Sequence, residues 1–235
     1  MKILVVTPIE VEIQCLLHSC AEQGIQAETL VVGKLPATYF AGLGVIVARG
    51  GLGKAQFAVQ TQHLIDSCPG VSLVICAGAA GALVDGLSVG DVVIATETVE
   101  HDIRNKFGRP LLPRFRGSAE LVDTFRKMPV DDRAFRVHFG PIASGDEDVI
   151  EAARRQEIHQ LTGALVVAWE GAGGARACQF SGIPFVEIRG ITDNANGTAA
   201  ADFAMNVHRA LHNVALCITL WARNGPAETK CSRRL

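Results

Sequence analysis

The sequence shows no charge excess, no long apolar run and no pattern of a secretory signal, and each absence argues against a class of protein. Among 235 residues, 22 Lys+Arg stand against 24 Asp+Glu, so a net charge of -2 provides no basic surface for a nucleic acid. The longest apolar stretches, such as Val214 to Ala222, are well short of the roughly 18 residues of a membrane span. Met1-Lys2 leads directly into an apolar strand without the pattern of a signal peptide. We therefore expect a cytoplasmic protein that binds neither nucleic acid nor membranes.

Signatures of a metal or a cofactor are also missing. The seven cysteines form no C-x-x-C pair and are expected to be reduced and buried, while His208 and His212, although four residues apart, lack the further ligands of a zinc site. The glycine-rich segments 50–54 and 78–81 match neither a P-loop nor a dinucleotide fingerprint. No metal and no cofactor are expected. Both segments are predicted to offer backbone N–H groups to a shared crevice, where they would hold a hydroxyl, a water or an anion.

Short apolar runs alternate with amphipathic segments along most of the chain, which predicts an α/β domain with a largely buried sheet. A single domain is expected over residues 1–222, followed by a flexible tail over 223–235. The predicted strands cover residues 2–7, 31–32, 44–48, 71–77, 92–99, 136–144, 164–168 and 185–191. The predicted helices cover residues 10–23, 55–66, 118–127, 148–161, 170–180 and 200–221, with a turn at 78–82 and a surface loop at 104–117.

Carboxylates follow three of the predicted strands, where open α/β sheets place their ligand sites. Glu10 and Glu12 follow the first strand, Glu170 follows the strand that ends at 168, and Asp193 follows the last strand. Each carboxylate has an alternative explanation as a partner of a helix dipole or a turn cap. Glu170 is unusual because it precedes a run of small residues, 171–175, which would let a ligand or a neighbouring element approach the backbone closely.

Eight short motifs occur in the order and spacing of the purine nucleoside phosphorylase and uridine phosphorylase superfamily. The motifs are Met1 to Glu12, Gly51 to Lys54, Ala77 to Gly81, Val89 to Val93, Glu100 to Asp102, Ile142 to Asp146, Trp169 to Ala172 and Val186 to Asp193. Over residues 1–222 the chain most resembles the hydrolytic branch, the 5'-methylthioadenosine/S-adenosylhomocysteine nucleosidases. The resemblance implies a three-layer α/β/α fold around a mixed twisted sheet. It also implies a homodimer whose partner completes the 5' pocket through the segment Phe107 to Pro113.

The resemblance also implies how a purine nucleoside would be cleaved. Asp193 would protonate the purine at N7, which requires a pKa raised by burial, and Glu12 would stay ionised and activate water. Glu170 would accept hydrogen bonds from the ribose hydroxyls, and Arg189 would organise the carboxylates. Phe203 stands where the family has an aromatic wall, although simple helix packing explains it equally well.

Gly81, Val149 and Trp169 would complete the substrate pocket according to the same resemblance. Hydrolysis is favoured over phosphorolysis because Cys76 stands where hexameric purine phosphorylases carry an arginine for the phosphate. Four residues depart from the pattern of the nucleosidases and leave the base and the 5' group open: Ala79, Asp148, Ala168 and Trp169.

Three alternatives remain beside the adenosine-type nucleosidase. A futalosine hydrolase shares Glu-Gly-Ala at the ribose position but tends to carry asparagine where Asp193 stands. A phosphate-dependent phosphorylase would need a cation for its second substrate. A nucleoside-binding protein without turnover would have no need for both Glu12 and Asp193.

Overall fold

The structure is a computed structural model that describes residues 2–108, 112–130 and 133–224. Within these residues the chain forms ten strands, six α-helices and one 3₁₀ turn at Ala41–Leu43. The strands are β1 (Lys2–Thr7), β2 (Glu28–Val32), β3 (Leu35–Phe40), β4 (Val45–Arg49), β5 (Val71–Ala82), β6 (Val92–Glu100), β7 (Arg114–Arg116), β8 (Val137–Ser144), β9 (Val166–Ala168) and β10 (Phe185–Asp193). The helices are α1 (Glu10–Glu22), α2 (Lys54–Ser67), α3 (Ala119–Arg126), α4 (Ala152–Thr162), α5 (Gly171–Ser181) and α6 (Ala199–Asn224).

All ten strands belong to one mixed sheet. Its order is β10-β6-β8-β9-β5-β1-β4-β3-β2, with β7 paired to β6 and a further parallel pairing between β10 and β5. Strand β1 runs parallel to β4 and β5, whereas β10 and β6 are antiparallel. Because β10 pairs with both β5 and β6, the strands β5, β10, β6, β8 and β9 close into a ring. The expected mixed α/β fold is confirmed.

Two helical layers cover the two faces of the sheet, and the alternation of side chains along β1 shows why. Ile3 and Val5 pack into the core beneath α1, α3 and α6, whereas Leu4 and Val6 pack into the core beneath α2 and α5. These four side chains are at most 2% exposed. An apolar run without polar alternation is therefore what a strand with helices on both sides requires.

Four local predictions were wrong. Residues 78–82 are not a turn but the end of β5, because small side chains there let neighbouring groups approach the strand. The predicted loop 104–117 contains β7, which pairs antiparallel with β6. Strand β3 was not predicted because its hairpin with β2 has little apolar alternation. Helix α4 begins at Ala152 rather than 148, since Glu151 is still extended. These changes matter most near β5 and α4, which border the cavity described below.

Helix α6 continues to Asn224, two residues beyond the predicted domain boundary. The rest of the predicted tail, residues 225–235, lies outside the described residues. None of the helices in the described part of the chain combines the length and apolar content that crossing a membrane requires.

Candidate active site

A cavity of about 490 Å³ opens where β5, β9 and β10 end and α1, α5 and α6 begin. All eight residues that the sequence assigned to a site line this cavity: Glu12, Gly81, Val149, Trp169, Glu170, Arg189, Asp193 and Phe203. The resemblance thus selects residues that the fold brings together from six separate parts of the chain. Their chemistry depends on how each carboxyl group is held.

Glu12 lies in the first turn of α1 and is 3% exposed, whereas Glu10 is exposed and pairs with Arg49 at 3.4 Å. The Ala79 N–H donates to Glu12 Oε1 at 2.7 Å, and the Ile9 N–H donates to Oε2 at 3.4 Å. Burial raises the pKa of Glu12 from 4.5 to about 7 against the opposing effects of a nearby arginine and these N–H groups. The carboxyl is therefore near the midpoint of its titration at neutral pH, rather than fully ionised as the resemblance implied, and its ionised form can take a proton from water.

Asp193 ends β10 and is held by its chain neighbours. The Thr192 hydroxyl donates to Asp193 Oδ2 at 2.7 Å, and the Ala195 N–H donates to Oδ1 at 2.8 Å. Ala195 adopts a left-handed φ of 47°, which is uncommon outside glycine and points to a constrained turn. Burial raises the pKa of Asp193, which agrees in direction with the expectation from the resemblance.

The position of Gly81 in the motif has no room for a side chain. A Cβ at this position would lie 2.7 Å from Asp193 Oδ1 and 3.3 Å from the Ala195 backbone nitrogen. A side chain at Gly81 would therefore displace the carboxyl of Asp193.

Glu170 immediately precedes α5 and is 3% exposed. Its Oε1 accepts a hydrogen bond from the Gly53 N–H at 3.3 Å, and its Oε2 lies 3.4 Å from Arg189 Nη2. Burial raises the pKa of Glu170, and the positive charge of Arg189 opposes that rise. One face of the carboxylate is thus fixed by protein donors while the residue lines the cavity.

Arg189 is 1% exposed and contacts two carboxylates, as the resemblance implies. Besides Glu170, its Nε donates to Glu187 Oε1 at 2.8 Å, and its Nη1 donates to the Ala79 carbonyl at 3.3 Å. A Cβ at Gly78 would lie 2.4 Å from Arg189 Nη1, so glycine is required where the guanidinium passes β5.

Glu187 is a buried member of this network that the sequence analysis quoted only inside a motif. It is fully buried on β10 and accepts a hydrogen bond from the Thr98 hydroxyl at 2.6 Å. A Cβ at Gly171 would lie 2.1 Å from Glu187 Oε2. The small-residue start of α5 therefore accommodates a neighbouring element rather than a ligand. A glutamate within the apolar run 185–188 was the available signal.

The backbone N–H groups of Gly53 and Ala79 are not open to a ligand, contrary to the sequence-based expectation. They donate instead to Glu170 and Glu12. These two donors therefore hold carboxylates of the protein itself.

The charged side chains that line the cavity are mostly acidic. Among the described residues, Arg189 is the one cation of the lining, against the carboxyl groups of Glu12, Glu147, Asp148, Glu170 and Asp193. Cys76 is fully buried behind the site, with its Sγ 3.5 Å from Arg189 Nη2, and burial raises the pKa of its thiol. The guanidinium is thus already engaged by groups of the protein.

The two histidines noted in the sequence lie away from the cavity, between α1 and α6. His208 Nδ1 is 3.2 Å from Cys15 Sγ, and His212 Nδ1 is 3.2 Å from Ser19 Oγ. Within residues 2–108, 112–130 and 133–224, no group of three or more His, Cys, Asp or Glu side chains is arranged to hold a metal ion. The cysteines of the same ranges are all free and buried, and Cys231 lies outside them.

The fold and the buried carboxylates are those of a known enzyme superfamily, which similarity to other proteins identifies. The family model of the phosphorylase superfamily matches residues 2–220, and the chain belongs to this superfamily. It is 30% identical to the 5'-methylthioadenosine/S-adenosylhomocysteine nucleosidase of Shewanella loihica, over 93% of this chain and 97% of that protein. These relationships confirm the expected class of enzyme, an N-glycosyl hydrolase.

Two solved structures from Helicobacter pylori extend the comparison. The 5'-methylthioadenosine/S-adenosylhomocysteine nucleosidase superposes with a TM-score of 0.84 and 26% identity, covering 95% of this chain and 98% of that one. It holds a pyrrolidinol that carries a 4-amino-pyrrolo[3,2-d]pyrimidine and a propynylthiomethyl group. The futalosine hydrolase superposes with a TM-score of 0.83 and 25% identity at the same coverages.

Proposed function

We propose that the protein hydrolyses the N-glycosidic bond of a 5'-substituted adenosine-type nucleoside, such as 5'-methylthioadenosine or S-adenosylhomocysteine. The observation that carries the proposal is the convergence of three buried carboxyl groups, Glu12, Glu170 and Asp193, on one cavity. Departure of a purine needs a proton at the base and a nucleophile at the anomeric carbon. Two carboxyl groups in different states of protonation meet both needs.

Burial raises the pKa of both acids, but the charges around them differ. At Glu12 the positive charge of Arg189 opposes the rise, whereas at Asp193 the carboxylate of Asp202 adds to it. We assign Asp193, as the resemblance implies, as the acid that donates its proton to the purine N7. Glu12 is the base that orients a water and accepts its proton as the C–O bond forms.

The remaining cavity residues hold the sugar and the 5' substituent. Glu170 accepts hydrogen bonds from the ribose hydroxyls through the lone pairs that Gly53 and Arg189 leave free. Ile9, Leu52 and Phe203 form an apolar part of the lining, which suits a thioether. The ligand held by the Helicobacter pylori nucleosidase, with its adenine-like base and thioether, supports this substrate class.

Water is a better nucleophile than phosphate for this cavity. A phosphate dianion would enter a lining with one cation, and that cation already donates to Glu187 and lies 3.4 Å from Glu170. At about 4 Å and an effective dielectric of 20, one negative charge of the phosphate and one ionised carboxylate of the lining repel each other by roughly 4 kcal/mol. Phosphorolysis is therefore disfavoured.

Futalosine is the second candidate substrate, because a futalosine hydrolase superposes nearly as well as a 5'-methylthioadenosine/S-adenosylhomocysteine nucleosidase. Asp148, which departs from the nucleosidase pattern, lines the cavity next to Val149 and Ile150 and would place a carboxyl group near the base. The two candidates differ in both the base released and the 5' group.

We also propose that the active form is a cytoplasmic homodimer. Leu52 and Ile150 line the cavity and are 54% and 51% exposed, while Phe107 is fully exposed. A second copy at the mouth of the cavity would bury such side chains, and residues 107–113 are the segment expected to reach across. Residues 109–111 of that segment lie outside the described residues. Light scattering over a dilution series should report twice the chain mass, and a monomer at all concentrations would contradict this part of the proposal.

The proposed activity is tested by incubating the purified protein with 5'-methylthioadenosine, S-adenosylhomocysteine, adenosine, inosine and futalosine, each with and without phosphate. We expect free adenine and an unphosphorylated sugar from the first two compounds, at a rate that phosphate does not change. Cleavage of futalosine alone would establish the second candidate. Release of a sugar 1-phosphate, or binding without cleavage of any compound, would refute the proposal.

A further inference from the structure

A partly buried cluster of ion pairs lies next to the cavity, and the mechanism above makes no use of it. Lys54 Nζ lies 3.0 Å from Glu100 Oε1 and also pairs with Asp102. Glu100 Oε2 in turn lies 2.5 Å from Arg176 Nη2. The side chains of Lys54 and Glu100 are only 16% and 7% exposed, so this cluster differs from the surface pairs of the chain.

The cluster joins the start of α2 and the middle of α5 to the end of β6. Lys54 is the first residue of α2, Arg176 lies in α5, and Glu100 ends β6. The backbone of α2 is tied to the same place, because the Lys54 N–H donates to Asp146 Oδ1 at 2.8 Å and the Asp146 N–H donates to Asp102 Oδ2 at 2.9 Å. The first residue of α2 is therefore fixed through both its side chain and its backbone.

The start of α2 is also the place where Glu170 is held. Gly53, the residue before Lys54, donates its N–H to Glu170 Oε1. Its φ of 78° lies in the region that glycine favours, so the N–H direction depends on this particular backbone conformation. A Cβ at Gly173 of α5 would lie 2.3 Å from the Lys54 carbonyl oxygen, which shows that the two helix starts touch backbone to backbone.

We propose that Lys54 and Glu100 are positioning residues for Glu170. By tying α2 to α5 and β6, they hold the Gly53 N–H against one oxygen of the Glu170 carboxylate, so that its remaining lone pairs face the ribose hydroxyls. This inference rests on the proposed function, in which Glu170 receives those hydroxyls. It adds that ribose recognition is set by an ion cluster that does not line the cavity.

If Lys54 and Glu100 position Glu170, their loss should weaken the preference of the enzyme for a substrate with a 2'-hydroxyl. If they only stabilise the fold, that preference should not change. The measurement is the ratio of kcat/KM for 5'-methylthioadenosine to kcat/KM for its 2'-deoxy analogue. Lys54→Met and Glu100→Gln should each reduce that ratio about 10-fold, the lower end of the loss found when the outer-shell partners of metal ligands are removed. Glu170→Gln should reduce it further, and adding Lys54→Met to Glu170→Gln should leave the ratio unchanged, because the interaction is already lost.

A matched control removes a cation from another ion pair of the same strand. Arg114 pairs with Glu97 of β6 at 2.6 Å but contacts neither Glu170 nor the start of α2 in any described hydrogen bond. Arg114→Met should leave the ratio at the wild-type value. Thermal midpoints are measured for every variant. Glu100→Gln, which preserves the size of the side chain, tests the proposal if Lys54→Met does not fold.

The outcomes separate this inference from the function on which it rests. A wild-type protein that cleaves neither compound, or that does not distinguish them, refutes the proposed role of Glu170 and the inference together. A wild-type protein that distinguishes them, with variants that lose equal activity on both compounds, refutes the inference alone. A ratio that falls again in the double variant would mean that the cluster acts on the substrate without Glu170.

Discussion

Replacing Glu12 by glutamine tests whether burial sets the state of this carboxyl. A group with a pKa of 4.5 in the unfolded chain and about 7 in the folded chain binds its proton more tightly when folded. Its contribution to stability is complete below pH 4.5 and is lost as the pH rises through 7. Integration of the linkage relation gives a loss of about 2.5 kcal/mol between pH 5 and pH 8.

Glutamine has a similar shape but does not titrate, so Glu12→Gln should not suffer this loss. Urea unfolding of both proteins at pH 5 and pH 8 gives the difference in their free energies of unfolding at each pH. That difference should move by about 2.5 kcal/mol in favour of the variant at pH 8, while the titrations of groups that do not interact with Glu12 cancel. A difference that stays constant within about 0.5 kcal/mol would mean that Glu12 has an ordinary pKa, and the assignment of Glu12 as a base matched to neutral pH would be wrong.

Three further changes probe the other parts of the site. Asp193→Asn should lower kcat at least about 100-fold, the usual scale of general acid catalysis, while calorimetry still detects nucleoside binding; unchanged kcat would remove Asp193 from the acid role. Gly81→Ala should also lower kcat about 100-fold because its Cβ would lie 2.7 Å from Asp193 Oδ1, whereas Gly42→Ala, with no atom within 4 Å of its Cβ, should have no effect. Equal activities of these two alanine variants would mean that Asp193 moves without consequence. Phosphate up to about 50 mM should leave the rate unchanged, since the pocket repels a dianion, and a rate that rises with phosphate would favour phosphorolysis.

The strands that are apolar on both faces were predictable because their apolar runs leave little alternative, whereas β3, β7 and the end of β5 were not predicted as strands. Strand β1 is apolar on both faces, and helices cover both faces in the structure. The start of α4 was not predictable from apolar spacing, because residues 148–151 have the composition of a helix start but an extended last residue, Glu151. In that stretch Val149 and Ile150 line the cavity.

The family motifs were enough to select the residues of the candidate site. The burial and hydrogen-bond partners of each residue could not be predicted from the motifs. Glu10 and Glu12 are equivalent as carboxylates after a strand, and only the direction in which α1 faces the sheet buries one and exposes the other. Asp146 is known from the sequence only as the end of a family motif, yet its carboxylate accepts a hydrogen bond from the N–H of Lys54, a residue far away in sequence. Such pairings depend on how distant segments meet, which a single sequence does not specify.

The central claim, that one acid protonates the base while another directs water to the sugar, is tested most directly by following the oxygen. The wild-type protein is incubated with 5'-methylthioadenosine in ¹⁸O-labelled water containing phosphate, and the products are analysed by mass spectrometry. We predict free adenine and methylthioribose with one labelled oxygen at the anomeric carbon, and neither product from Glu12→Gln or Asp193→Asn at the same time point. Unlabelled sugar phosphate from the wild type, or undiminished cleavage by either variant, would contradict the account.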